Sequence, residues 1–483
     1  MRKLGFLLKL MNNPFIGNLV LKLLKKRAFK PYQLSFESAL KKQTEMLEIK
    51  FKNMERTDIG KKLGISKGTK IGDIKVTDYS FYEPFYKNAH PSAFMYPLEE
   101  YVKVKTSGTA GTEKPFLLPK RAMINAFRET AFQSILSLFH DGEKINLELG
   151  DVIYVNTGGS PFIGGTTVSM GSKKNPFISL VPNVNLTYSD KVRYFIKNHK
   201  KIDAAFMQTS TLLTQIMPAI DGPINLKGFA TFETPSIEEH RDDIERFVGT
   251  IPKSFYASTE THSCTVMSVQ HSMGFIFDYR RGLFEFFPVN IGGKIEQEYV
   301  QMNEVTVGGT YQLVYTDLHS EITRYNTKDC FKCIALGDDV LSTDFPVFRI
   351  VGRLDKTISI ENYTRISEQE LMSVFYEVGI AFEEFTTRVE TRQGKEYLAI
   401  FLELLTNKKP SVLRDAVHKQ LYSIDKDYAD LVDHLEYVPI IINPVKRGVF
   451  AKYLDGKTGS AAKVDRINMR DEDFNILVQL MNQ

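Results

Sequence analysis

Residues 151–159 read DVIYVNTGG: a continuous apolar run, Val152–Val155, closed by a cluster of turn residues. A short apolar run bounded in this way marks a strand buried on both faces, as in a parallel sheet. The same reading extends outward to FISLVPN (177–183) and AAFMQTS (204–210). Helical periodicity fills the intervals in RAMINAFRETAFQSILSLFH (121–140), SDKVRYFIKNH (189–199) and TLLTQIMPAI (211–220). A further helix, SIEEHRDDIERFV (236–248), offers Ser236 as N-cap with Glu239 three residues on, a capping box. Strands alternating with helices predict an α/β architecture with much parallel sheet.

The pattern changes near Phe284. LFEFFPV (283–289), TYQLVYTDL (310–318), CFKCIAL (330–336) and FPVFRIVGR (345–353) are strand-rich with few helices between, and a mixed pattern resumes after Arg353. This predicts a large N-terminal domain of mixed sheets and helices over 1–354 and a smaller α+β domain over 355–483. Upstream, FESALKKQTEMLEIKFKNM (36–54) is helical by period and is broken by Gly60 and Gly64, while PFYKNAHPSAF (84–94) reads as a loop.

Composition is that of an ordinary globular chain. Of 483 residues 43% are apolar and 25% charged, and 62 Lys+Arg against 58 Asp+Glu leave a net charge of +4. So mild a balance gives no argument for a nucleic-acid partner. Three cysteines, Cys264, Cys330 and Cys333, make no disulfide framework. Cys330 and Cys333 form a C-x-x-C, but on a strand their side chains face opposite sides. A reducing, cytoplasmic setting follows as the default. The N-terminal MRKLGFLLKLMNNPFIGNLVLKLLKKRAFK (1–30) lacks the cleavage site of a signal peptide and the ~20 apolar residues of a membrane span. It reads as an amphipathic helix, either docked on its own domain or touching a membrane surface through residues 1–28.

The most polar constructed segment is KVKTSGTAGTEKPFLLPK (103–120). Gly108 and Gly111 permit close backbone approach and positive φ. Exposed N–H groups, the hydroxyls of Thr106, Ser107, Thr109 and Thr112, the charge of Lys114 and the dipole of a following helix suit a polyphosphate. A polar surface turn between strands accounts for the same composition. Neither a Walker motif nor G-x-G-x-x-G can be written through the loop. His262, Cys264 and His271 stand close in sequence without a standard metal spacing. No nucleophile elbow exists around GGSPFIGG (158–165), so a serine hydrolase is disfavoured.

TSGTAGTEKPF resembles the phosphate loop of the adenylate-forming superfamily, which couples ATP to carboxylates. Four further segments resemble the remaining motifs of that superfamily, in its order. FETPSIEEHRDDIERFVGTIPKSFYASTE (232–260) is similar to the stretch from the adenine-contacting turn to the Y-x-x-T/S-E motif. TDLHSEITRYNTKD (316–329) is similar to the strand ending in the ribose-binding aspartate, FRIVGRLDKTI (348–358) to the G-R-x-D hinge, and RGVFAKYLDGKTGSAAKVDRI (447–467) to the segment carrying a catalytic lysine. Within the superfamily the chain looks most like the Gretchen-Hagen-type acyl-acid amido synthetases and is also similar to phenylacetate–CoA ligases. It departs from the pattern at Phe232-Glu233-Thr234, where glycine is usual, and at Ala461–Arg466, which stands for Q-x-K-x-P-R.

The resemblance implies an ATP-dependent ligase that forms an acyl adenylate, releases pyrophosphate and passes the acyl group to an amine or amino acid. Transfer to CoA and a non-catalytic nucleotide- or membrane-binding role are the alternatives. It implies that Thr106, Ser107, Gly108, Thr109, Gly111, Thr112 and Lys114 hold the β- and γ-phosphates, that Thr259 donates to the α-phosphate and that Glu260 binds Mg²⁺. Asp329 would accept the ribose hydroxyls, Phe232 and Tyr256 would flank adenine, Arg353 would contact ribose or phosphate, and Lys463 would be the mobile catalytic cation. Rotation about Asp355–Lys356 would bring Lys463 in. The turn in YVNTGGSPFIGG (154–165) is the candidate for part of the acyl pocket, because it would lie at the ligand edge of the sheet.

Overall fold

The structure is a computed structural model that describes the chain except residues 1–12, 106–113, 173–176, 232–236, 238–239, 290–294, 354–356, 359, 361–363, 365, 394, 436, 456–463, 470 and 483. Helix α1 (Pro14–Arg27) starts at Asn13, whose side chain accepts from the Phe15 N–H, and ends in Lys25, Lys26 and Arg27. That placement of cations complements the helix dipole. Helix α2 (Phe36–Met54) is capped by the Ser35 side chain. The break that follows falls at Glu55–Thr57 rather than at Gly60, which lies inside α3 (Asp58–Lys62). Glycine is required there for space, since a Cβ would stand 1.9 Å from the Met54 carbonyl oxygen. Helix α4 (Tyr79–Lys87) runs through Pro84, so the expected loop begins only at Asn88; buried Tyr82 and Tyr86 hold that helix to the core.

Strands β1 (Tyr101–Lys105) and β2 (Pro115–Pro119) form an antiparallel pair with Lys105 opposite Pro115. The element that follows Lys114 is thus a strand rather than a helix. Helix α5 (Lys120–Ala126) begins only after β2, and it passes through a π-turn at Phe127–Ala131 into α6 (Phe132–Leu138). Such wide turns distort the helical ladder locally and are frequent at functional sites.

Strand β3 (Asp151–Val155), helix α7 (Ile163–Ser172), strand β4 (Ile178–Val181), helix α8 (Tyr188–Asn198) and strands β5 (Ala204–Phe206) and β6 (Gly228–Thr231) follow. Helix α9 (Arg241–Val248) and β7 (Pro252–Ser254) complete a parallel sheet of order β4-β3-β5-β6-β7. Helix α9 begins after His240, and the expected capping-box residues Ser236 and Glu239 lie outside the described residues. The chain leaves β3 for β4 on one side and returns to β5 on the other, which makes the β3/β5 crevice the topological switch point.

Strands β8 (Ala257–Ser258) and β9 (His262–Ser263) make a small hairpin. Then β10 (Thr265–Met267), β11 (Phe275–Phe277), β12 (Gly282–Pro288), β13 (Thr310–Asp317), β14 (Tyr325–Ala335) and β15 (Val347–Arg353) form an antiparallel sheet of order β10-β11-β15-β14-β13-β12. Phe277 packs against Phe284, Phe286, Phe331 and Phe348 at its centre.

Beyond residue 356, β16 (Thr357–Ile358) pairs with β17 (Ile366–Ser367), and Ser367 opens α10 (Glu368–Glu377) in a capping box with Glu370. Strands β18 (Phe382–Arg392) and β19 (Lys395–Leu404) are antiparallel, and β20 (Ile440–Val445) lies parallel to β19. Leu371, Val374, Val417 and Leu421, from α10 and α11 (Pro410–Ile424), bury one face. The other carries Val449, Phe450 and Tyr453 of α12 (Val449–Asp455) and Leu477 of α13 (Asp471–Met481). The two apolar clusters of the first part draw on residues between Leu21 and Phe348, and the two of the last part on residues from Ile358 onward. Among the described residues no helix is long and apolar enough to cross a membrane. The fold is mixed α/β.

Candidate active site

The YASTE stretch is a hairpin tip, not the helix cap that its hydroxyls equally allow. Ser258 faces His262 across the β8–β9 pair. The Ser258 N–H donates to Thr261 Oγ1 at 3.1 Å and the Thr261 N–H donates to Ser258 Oγ at 3.2 Å. Below them Thr265 Oγ1 accepts the Tyr256 N–H and donates to the Tyr256 carbonyl, both at 2.8 Å. The turn so fixed buries Thr259 and leaves Glu260 half-buried at its end.

Tyr256 joins this hairpin to the antiparallel sheet. Its hydroxyl donates to Asp329 Oδ2 at 2.6 Å. Burial first, and the Asp329 carboxylate next, push the phenol well above its ordinary pKa, so it stays a donor. The Tyr256 ring is enclosed by Phe275, Phe277 and Phe331. Its polar handle is the hydroxyl. Asp329 is buried, follows Lys328 in the left-handed region (φ +62°) and donates its own N–H to Thr327 Oγ1 at 3.2 Å. It stands opposite Arg353 in the β14–β15 register.

Lys114 places its Nζ 5.1 Å from the centre of the Tyr79 ring, and the Tyr79 hydroxyl donates to the Pro115 carbonyl at 3.2 Å. Thr106, Ser107, Gly108, Thr109, Gly111 and Thr112 lie outside the described residues, as do Phe232, the Asp355–Lys356 pair and Lys463. The chain directly after Lys463 is anchored, because Thr386 Oγ1 donates to the Asp465 carbonyl at 2.6 Å and the Thr387 N–H to the Arg466 carbonyl at 2.7 Å.

Two polar side chains at the switch point escaped the sequence reading. Asn156, just past β3, and Gln208, just past β5, are both closed off from solvent at amide nitrogens that have no hydrogen-bond partner among the described residues. The Asn156 N–H donates to the Phe206 carbonyl at 2.8 Å, which ties the two strand ends together. Each residue terminates an apolar run (YVN, FMQ), which is the one local signal for them.

Behind the hairpin lies a buried polar group. Burial alone would raise the Asp317 carboxyl, but His262, His319 and Lys50 together with the His319 N–H hold it below its ordinary value. Lys50 is driven by burial down to about 7, against the pull of Asp317 and Glu321, while its Nζ donates to the carbonyls of Asp317 at 2.6 Å and Ile322 at 2.5 Å. His262, with φ +57°, keeps its Nε2 3.5 Å from Asp317 Oδ2, and burial lowers its basicity. Among the described residues no group of three or more His, Cys, Asp or Glu side chains is arranged to hold a metal ion.

Comparison with known proteins places this geometry. Residues 275–353, the span from β11 to β15 that carries Asp329 and Arg353, match the GH3 family central domain. The indole-3-acetic acid-amido synthetase GH3.3 of Arabidopsis thaliana is 23% identical over 290 residues, covering 56% of this chain and 47% of that protein. The chain thus aligns with about half the length of that curated relative. The solved AtGH3.15 acyl acid amido synthetase in complex with 2,4-DB superposes with a TM-score of 0.69 at 15% identity, covering 93% of this chain and 95% of its own. A 2-hydroxyisobutyryl-CoA ligase in the postadenylation state gives a TM-score of 0.62 at 14% identity, covering 94% of each chain. The fold is that of the adenylate-forming enzymes.

Proposed function

We propose that this chain is an ATP-dependent ligase that activates a carboxylic acid and passes the acyl group to an amine or amino acid. The observation that carries the reading is the Tyr256–Asp329 hydrogen bond, which couples the YASTE hairpin to the aspartate of β14 within a fold shared with an acyl acid amido synthetase.

In the first half-reaction a carboxylate oxygen of the acid attacks the α-phosphorus of ATP and pyrophosphate leaves. The 106–114 segment, from Thr106 to Lys114 between β1 and β2, holds the leaving phosphates. Thr259 donates to the α-phosphate, Asp329 accepts from the ribose hydroxyls and Arg353 contacts ribose or phosphate. Phe232 and Tyr256 flank adenine. The half-buried Glu260 carboxylate is a hard oxygen donor at a rigid tip and suits Mg²⁺, which would neutralise phosphate charge when bound. Lys463 supplies positive charge as it builds on the transferring oxygens. In the second half-reaction the acceptor nitrogen attacks the acyl carbon and AMP leaves. We take residues 1–354 and 355–483 as two domains, hinged at Asp355–Lys356; the division of the apolar clusters between Phe348 and Ile358 supports this. The crevice at Asn156 and Gln208 supports placing part of the acyl pocket at 154–165.

A second acceptor, the thiol of CoA, is favoured by the likeness to the 2-hydroxyisobutyryl-CoA ligase. ATP–pyrophosphate exchange across aliphatic, aromatic and hydroxy acids tests the first step, and exchange with no acid would overturn it. Mass spectrometry of products formed with CoA and an amino-acid mixture decides the acceptor; an acyl-CoA product alone would replace the amido reading. We place the protein in the cytoplasm, with three buried, free cysteines in support. Contact with an anionic membrane surface through residues 1–28 is supported by Phe15, Leu19 and Leu23, which stay exposed on α1 beside its lysines. Liposome association that survives deletion of 1–28 would end that idea.

A further inference from the structure

One charged side chain next to the hairpin makes an ion-pair contact but no hydrogen bond at its terminal nitrogens among the described residues. Arg281 sits in the turn between β11 and β12, where its N–H donates to the Asp278 carbonyl at 2.9 Å. Its carbonyl accepts the Leu318 N–H and the Tyr315 hydroxyl, both at 3.1 Å, so the backbone is fixed. Its side chain is 3% exposed, and among the described residues neither Nη1 nor Nη2 has a hydrogen-bond partner. The nearest acid, Glu129 of the π-turn, holds Oε2 at 3.7 Å from Nη1 and is itself 45% exposed. That distance is an ion-pair contact without a hydrogen bond. A guanidinium that forgoes its hydrogen bonds loses hydration without replacement, which is costly unless a ligand supplies acceptors.

The π-turn packs between α7 and the β9 strand, so Glu129, His262 and Arg281 border one region behind the Glu260 tip. His262 lies two residues past Glu260, and its buried Nε2 also has no hydrogen-bond partner. The buried acids nearby are already occupied: Asp278 takes Arg280 and the Thr130 hydroxyl, while Asp317 Oδ1 takes the His319 N–H at 2.7 Å and its Oδ2 the Ser320 hydroxyl at 2.8 Å. The His319 Nε2 is engaged with the Arg280 carbonyl at 3.0 Å. The unspent hydrogen-bonding capacity of the region therefore sits on Arg281 and His262.

We propose that Arg281, assisted by His262, is a carboxylate-recognition subsite that receives a second anionic group of the reactants, remote from the carboxyl that is activated. The proposal rests on the adenylating reading of the neighbouring hairpin. A bidentate guanidinium–carboxylate pair supplies the acceptors that Arg281 lacks. Two sources of that group are chemically equivalent here: the distal carboxylate of a dicarboxylic acid, or the α-carboxylate of an amino-acid acceptor.

The test compares wild type with Arg281→Met, which keeps length and removes charge. ATP–pyrophosphate exchange is measured with succinate, glutarate and adipate and with the matched butyrate, valerate and hexanoate. If the acid brings the group, the kcat/KM ratio of diacid over monoacid falls by roughly tenfold or more in the variant, the scale of one charge-assisted contact. If the acceptor brings it, that ratio holds, and the KM for L-glutamate as acceptor rises by a similar factor relative to n-butylamine. Unchanged ratios in both arms overturn the proposal while the ligase reading stands. If the wild type exchanges with no acid, the ligase reading fails instead. Glutarate and L-glutamate binding by calorimetry, wild type against Arg281→Met, then decides the subsite, and equal affinities for both ligands overturn it. A variant that melts well below wild type, with all substrates impaired alike and no rescue by Arg281→Lys, makes Arg281 structural and likewise overturns the proposal.

Discussion

Arg280 and Arg281 adjoin in one turn, yet their guanidinium groups are treated oppositely. Arg280 donates to Asp278 Oδ1 at 2.8 Å and Oδ2 at 2.6 Å, to Gln133 Oε1 at 2.6 Å and to the Tyr32 hydroxyl at 3.2 Å. Thr130 donates its hydroxyl to Asp278 Oδ2 at 2.6 Å, completing the carboxylate's shell. Arg281, the more deeply buried of the two, has Glu129 at 3.7 Å and feels the Asp278 carboxylate, yet among the described residues neither terminal nitrogen makes a hydrogen bond. A saturated buried charge holds elements together: Arg280 ties α6 and the Tyr32 segment to the β11–β12 turn. A buried charge left unsaturated at its terminal nitrogens is what the proposed carboxylate subsite would satisfy.

The largest expected effect is therefore structural. Arg280→Met strips the fully buried Asp278 of its counter-ion and should cost about 3–5 kcal/mol, the usual penalty for breaking a buried pair by removing one partner. Urea unfolding measures it. A loss below about 1 kcal/mol would erase the contrast between the two arginines.

That contrast is not visible in the letters Arg-Arg, and the reason is physical. Strands β3, β4 and β5 were legible because apolar runs closed by turn residues are local signals. The likeness of 316–329 and 232–260 to known motifs pointed to Asp329 and Tyr256, but the bond between them joins residues 73 apart in sequence and only folding brings them together. The surroundings of Arg281 come from residues 129, 262 and 317, three segments whose proximity no local pattern encodes. The π-turn was hidden inside an unbroken helical period. The hairpin at 258–262 was masked because Ser and Thr side chains satisfy backbone N–H groups equally well in caps and in turns.

Lys50 extends the comparison to pH. Its pKa is held at about 7 in the folded chain by burial, against an ordinary value of 10.5 when unfolded. Between those values the unfolded chain binds a proton that the folded chain has released, so stability rises with pH across this window and levels off below it. The slope from this group approaches about 1.4 kcal/mol per pH unit at most. Lys253 and Lys191, each lowered by burial to about 8, act in the same direction. Lys50→Met should flatten the rise between pH 7 and 9 in part, measured as urea midpoints. An unchanged slope would mean that Lys50 stays charged, and that the hairpin's rear wall carries a second cation beside Arg281.

Smaller again is Tyr256→Phe, which removes the hydroxyl from Asp329 and keeps the ring in its aromatic nest. The stability cost should be about 1–3 kcal/mol, that of a buried acceptor losing a donor. Because Tyr256 positions a residue assigned to ribose, the ATP KM should rise by roughly tenfold while kcat changes less. A fall in kcat with KM unchanged would move Tyr256 from holding ribose to holding the transition state.

The smallest stability effect belongs to Arg281. Arg281→Met removes a buried charge that makes no hydrogen bond at its terminal nitrogens, and Glu129, 45% exposed, can turn to water when its partner is gone. Replacing a poorly compensated charge by an apolar side chain of similar length is neutral or stabilising. The melting temperature should therefore stay level or rise, against the fall expected for Arg280→Met. The two measurements have to diverge. If both variants lose stability to the same extent, Arg281 is held by its neighbours as firmly as Arg280 is, and its bare guanidinium is no vacancy for a carboxylate.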